Sequence, residues 1–134
     1  SLTALESAQV AIICARADSV GIARLVRGYL EFHELFSKTE VHVLLWGITS
    51  EAQSKDVRAA VCRHTGIESI FDTAYDFGIT RKALEQNRFI GELDSKNSIT
   101  KEFAQLAQLI HQKHEVQGVT RIQKSKRGFL KRAA

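Results

Sequence analysis

Residues 9–36 limit what this chain can fold into more than any other stretch. The run Val10-Ala11-Ile12-Ile13-Cys14-Ala15 is apolar at every position, the pattern of a strand buried on both faces. It breaks at Arg16-Ala17-Asp18-Ser19, where Asp18 or Ser19 supplies the short side-chain oxygen that caps a helix. Ile22, Leu25, Val26, Tyr29, His33 and Phe36 then recur at three- and four-residue spacing, the stripe of a helix packed on a sheet. Gly21 and Gly28 are seven apart on one side of that helix, and close approach to the sheet is expected at both. A strand feeding a helix through a short polar loop is half of a βαβ unit, and the mouth of that loop is where such units bind ligands.

The following residues continue the alternation. Glu40 to Trp46 is a second apolar run ended by Gly47 and suits a central parallel strand. Ser50 and Gln53 make a capping-box pattern for a helix that Gly66 stops near His64, with Val57, Ala60, Val61 and His64 inward. Ser69 to Tyr75 reads as a third strand, and Thr80 to Gly91 as a helix anchored by Leu84. Ile99, Phe103, Leu106, Ala107 and Ile110 mark another helix reaching about His114, and Val116–Ile122 suits a short edge strand. The expected fold is a small three-layer α/β domain of flavodoxin- or Rossmann-like kind, its mostly parallel sheet holding three or four strands. An all-α fold is the alternative, because the first forty residues are rich in Ala, Leu, Arg and Glu; the β-branched run at 41–46 argues against it.

With 134 residues, 44% hydrophobic and 25% charged, the chain suits a single packed domain over residues 1–120. No apolar run approaches the roughly 18 residues of a membrane span, so no membrane partner is expected. Nor does a basic segment precede an apolar one at the N-terminus. Cys14 and Cys62 belong to no CxxC or metal-ligand spacing, so reduced thiols in a cytoplasmic or other reducing intracellular compartment are expected. The net charge of +4 is a property of the tail: residues 121–134 hold six cations and no acid, whereas residues 1–120 carry 13 basic against 15 acidic side chains.

Three chemistries follow. The first is anion binding at the loop of Cys14, Arg16, Asp18 and Ser19, where helix-start amides and a guanidinium suit phosphate or carboxylate. Asp18 competes there as a cap, and neither GxGxxG nor GxxxxGK[ST] occurs. The second is nucleic-acid binding by Arg121, Lys124, Lys126, Arg127, Lys131 and Arg132, with Phe129 as a stacking ring. The third is a nucleophilic Cys14. A cysteine near the end of a first strand, ahead of a loop and helix, resembles in outline the low-molecular-weight protein tyrosine phosphatases and the cysteine-phosphorylated carrier domains of sugar phosphotransferase systems. The former place an arginine six residues after the cysteine and use an Asp-Pro acid; here that position is Val20 and the chain has no proline. The latter have loops rich in glycine and small polar residues, unlike Ala15-Arg16-Ala17. A packed, inert Cys14 is the preferred expectation.

Asp72 and Asp76 flank a strand end and Asp94-x-Lys96 lies in a turn-like stretch, so neither makes a convincing acidic site. His33 and His64 fall on apolar stripes and are expected in the core, and no histidine belongs to a ligand motif. No metal, cofactor or catalytic residue is assigned. The favoured expectation is a non-catalytic, regulatory α/β module binding a phosphorylated small molecule or partner at the first strand–helix loop. A nucleic-acid-binding protein acting through the tail comes second, and a phosphocysteine carrier or hydrolase third. The oligomeric state does not follow from the sequence.

Overall fold

The two apolar runs and the third expected strand become β1 (Val10–Arg16), β2 (Glu40–Ile48) and β3 (Ile70–Ala74) in a computed structural model, which describes residues 2–112. Between and around them run α1 (Leu2–Ser7), α2 (Ser19–Leu35), α3 (Glu51–Thr65), α4 (Phe77–Gln86) and α5 (Ile90–Leu93), and residues 98–112 are helical. The strands form one parallel sheet in the order β1-β2-β3 with helices on both sides, the expected α/β arrangement. The chain divides into two compact units after Glu102. The first holds the sheet. The described part of the second, residues 103–112, is helical, with Leu106 buried and Phe103 half exposed. The strand expected at Val116–Ile122 and the basic tail lie outside the described residues.

β2 is the central strand. In register, Ile13 pairs with Val43, Ala15 with Leu45, and Val43 with Ile70. These residues share one face and meet Leu25 of α2 and Val61 of α3 in the core, with Ile22, Val26, Tyr29 and Val57 against them. The α2 stripe is therefore as expected as far as Tyr29. His33 and His64 are exposed, contrary to expectation, because each lies in the last turns of its helix; His33 stacks its ring on Tyr29 at 5.5 Å between centroids.

The caps are local and match the sequence pattern. Asp18 caps α2 by accepting from the Gly21 amide at 2.7 Å. Ser50 caps α3 by accepting from Gln53, and Gly66 closes α3 with its amide donating to Cys62. α4 is shorter than expected, because Asn87 adopts a left-handed conformation (φ 51°) that ends the helix before α5. Leu84 is 78% exposed and does not anchor this helix. Ala83, one residue earlier, is buried instead.

The opposite face of β1 differs from expectation. Ile12 is 41% exposed, and Cys14 and Arg16 are exposed beside it. Among the described residues β1 is an edge strand and its outer face is incompletely covered, so Ile12, Cys14 and Arg16 are exposed while Ile13 is half-buried and Ala15 buried. An all-apolar run does not by itself distinguish this from burial on both faces.

Candidate functional site

All three strands end at one edge, where the backbone leaves the sheet for its helices. At this carboxyl edge Arg16 stands opposite Trp46, and Trp46 opposite Thr73. β2 then bulges at Gly47, which carries a φ of 83°, so the next pair is Ile48 with Ala74. Glycine meets that positive φ without the clash a Cβ brings, and a bulge bends the strand as it leaves the sheet. Trp46 (47%), Tyr75 (60%) and Phe77 (61%) are exposed here, three rings along one edge. The Arg16 guanidinium lies over the Trp46 ring, 5.7 Å from its centre. This is a cation–π contact on an open surface.

Hydrogen bonds between loops hold the edge. The Ala17 amide donates to the Trp46 carbonyl at 2.9 Å, and the Tyr75 amide to the Ile48 carbonyl at 2.8 Å. Gln53 joins the first two strand–helix loops. Its Nε2 donates to the Ala17 carbonyl at 2.7 Å, while its Oε1 accepts from both the amide and the hydroxyl of Thr49 at 2.8 Å. The Ser50–Gln53 pattern signalled a cap, and half of that box exists. The glutamine side chain, which in a full box returns to its own cap residue, serves the neighbouring loop instead. That link between β1 and α3 was not legible in the sequence.

Of the sequence-predicted loop residues, Arg16 and Asp18 come together: Arg16 Nε lies 2.9 Å from Asp18 Oδ2. The other carboxylate oxygen holds the Gly21 amide, so a side chain of the protein itself occupies the anion position at the start of α2. Cys14 sits one strand repeat before Arg16 and is exposed rather than packed. Ser19 is exposed and borders a different groove of about 530 Å³ between α2 and α3, with Leu30, Arg27 and His64. The tail residues Arg121, Lys124, Lys126, Arg127, Phe129, Lys131 and Arg132 lie outside the described residues.

Both aspartates around β3 have structural partners. Asp72 accepts from Ser54 Oγ at 2.5 Å and from Arg58 Nε at 2.6 Å, and Arg58 Nη1 donates to the Ile70 carbonyl. Asp76 caps α4 and accepts from Asn97. Burial, with repulsion from the Asp72 carboxylate, raises the pKa of Glu102 beside this cluster, and Arg58 partly opposes the shift. Asp94 accepts from the Lys96 amide in a turn. Among the described residues no group of three or more His, Cys, Asp or Glu could hold a metal ion.

At the opposite, amino edge the buried His42 shares a 2.5 Å hydrogen bond between Nδ1 and Ser69 Oγ. Its Nε2 lies 2.9 Å from Glu40 Oε1 without hydrogen-bond alignment. This carboxylate–imidazole–hydroxyl array spans β2 and the approach to β3, and 27 residues separate His42 from Ser69. It lies at the end of the sheet away from the strand–helix loops.

Comparison with protein-family models, with curated proteins and with solved structures gave no match for this chain. Among the described residues no helix is long and apolar enough to cross a membrane.

Proposed function

We propose that this chain is a non-catalytic α/β binding module that takes a phosphorylated small molecule at the carboxyl edge of its sheet. One observation carries the proposal: the exposed Arg16 guanidinium laid over the exposed Trp46 ring at the mouth of the first strand–helix loop. Ligands of open parallel sheets bind outside the carboxyl ends of the strands. The indole offers a face for a planar or apolar ring, and the guanidinium offers paired donors for a phosphate. Asp18 competes for those donors, so the ligand phosphate must displace its carboxylate from Arg16 while the cap on Gly21 stays in place.

Trp46 is the only tryptophan in the chain, which makes its emission a direct readout. Titration with AMP is expected to change the emission in a saturable way, and adenosine at equal concentration to have a much smaller effect. Arg16→Ala is expected to erase the difference between the two. Asp18→Asn keeps an oxygen for the Gly21 amide and removes the competing charge. The exposed ion pair it breaks is worth about 0.2–1 kcal/mol, so AMP is expected to bind roughly 1.5- to 5-fold more tightly. Glucose 6-phosphate and inorganic phosphate test whether a ring and a phosphate are both needed. Flat emission with every phosphorylated probe at millimolar concentration removes the proposal.

A further inference from the structure

We infer that the outer edge of β1 is a docking site for an extended, acidic peptide strand, which it takes up as a fourth strand of the sheet. The first support is the ladder. Gln9 accepts from the Glu40 amide and Ala17 donates to the Trp46 carbonyl, so odd-numbered residues of this stretch face β2. By the alternation of a parallel ladder, the backbone amides and carbonyls of Val10, Ile12 and Cys14 point away from it. Among the described residues no strand pairs with them.

Exposed edges in natural sheets are commonly blunted by a proline, a lysine, a bulge or extreme shortness. β1 has seven residues with no proline, its single charged side chain is Arg16 at the last position, and its register with β2 is unbroken. Among the described residues the register shifts between β2 and β3 instead. The β1 edge therefore keeps its capacity to pair.

The second support is the groove beside that edge. It measures about 420 Å³ and runs between β1 and the Gly21–Arg24–Gly28 side of α2. Gly21 lets the helix start approach closely, since a Cβ there would meet the Arg16 carbonyl oxygen at 2.1 Å. Gly28, seven residues on, was expected to do the same and does not: a Cβ there would meet nothing within 4 Å. With no side chain at Gly28, the far end of the groove stays open. A partner strand needs room about 4.8 Å from β1 together with space for its alternate side chains.

The third support is charge, and it selects the partner. Arg16 and Arg24 line the groove, and no acidic residue does. Arg16 has Asp18 as a partner, whereas Arg24 forms no ion pair among the described residues. A strand bearing carboxylates meets Arg24; one bearing lysines is repelled. This is strand addition to a sheet edge, with the backbone giving affinity and the flanking side chains giving selection.

The test uses the full chain and two synthetic octapeptides of alternating valine and threonine, one with two central glutamates and the other with two central lysines. Amide hydrogen exchange is followed at Ile12 and Cys14. The glutamate peptide is expected to slow both amides at least tenfold at saturation, and the lysine peptide to leave them unchanged. Arg24→Glu is expected to reverse that preference. Gly28→Leu is expected to melt no lower than the parent and to lose the protection, because it fills the groove without meeting the core. Unprotected amides with both peptides, or full binding by Gly28→Leu, overturn the inference. So does protection already present without peptide. If independent of protein concentration, that protection assigns the edge to another segment of the same chain; if it grows with concentration, it assigns the edge to a second copy.

Discussion

Gly21 and Gly28 look alike in sequence, but adding a methyl group is expected to have opposite effects at the two positions. Gly21→Ala forces a Cβ onto the Arg16 carbonyl oxygen, a backbone atom that gives way only if the strand end moves. Overpacking of this kind costs about 1–3 kcal/mol, and it also displaces Arg16 from Trp46. Gly28→Ala places its methyl in open space and is expected to stabilise the helix by roughly 0.5–1 kcal/mol. Paired denaturant melts check both, and similar midpoints for the two variants would contradict the described geometry. Glu102 gives a second prediction at this scale. Its pKa is raised from the ordinary value of 4.5, chiefly by burial and then by Asp72. Between its unfolded and folded values the folded protein keeps a proton that the unfolded chain has released, so stability falls as pH rises through that window. Above it, the charged form carries a standing cost. Glu102→Gln is therefore expected to raise the melting temperature at neutral pH and to lose that gain at about pH 3.5, below the glutamate range. An equal gain at both pH values would assign the effect to packing.

At the scale of elements, the carboxyl edge depends on one side chain that joins two loops. Gln53 holds Ala17 and Thr49 at once, and these residues belong to the connections after β1 and β2. Gln53→Ala leaves the part-buried Ala17 carbonyl without this donor, which is expected to cost about 1–3 kcal/mol. Gln53→Glu separates the two halves of the role. It keeps the acceptor for Thr49 but has no amide to offer Ala17, so it too is expected to destabilise. Urea melts of the two variants measure this, and a glutamate variant as stable as the parent would mean the Ala17 bond contributes nothing. Changes at the exposed ends of α3, such as the Glu51–Lys55 pair, are expected to matter little, because solvent-exposed ion pairs contribute at most about 1 kcal/mol.

For the whole molecule the uneven charge sets the expectation. Residues 1–120 are net negative by two charges, and residues 121–134 hold six cations. Any affinity for nucleic acid carried by that tail is expected to be weak, nearly indifferent to base sequence and dominated by counterion release. With about four to six phosphate contacts, log affinity is expected to fall against log salt with a slope of roughly −3 to −5. Truncation after Thr120 is expected to abolish the binding and leave the melting temperature of the sheet-bearing unit unchanged. The check is a salt titration of both proteins against an arbitrary duplex and an arbitrary single strand. Equal binding by the truncated protein would place the basic surface on residues 1–120.

The local decisions were already present in the amino-acid order. Apolar runs located β1 and β2, the spacing of Ile22, Leu25, Val26 and Tyr29 set the buried side of α2, and Asp18, Ser50 and Gly66 ended or began helices where their chemistry requires. These follow from forces acting within a few residues, so a linear pattern records them. Tertiary structure decided the rest, because it concerns residues far apart in the chain. Placing β1 at an edge exposed Cys14 and Ile12 despite an apolar run like that of a central strand. Pairing β1 with β2 laid Arg16 over Trp46, thirty positions away, and the same pairing brought Gln53 to Ala17. Leu84 and Ala83 show the same division within one helix, where the larger apolar side chain faces solvent and the smaller one is buried. Hydrophobicity drives burial in proportion to area, but only the packed neighbours determine which side of a helix is covered.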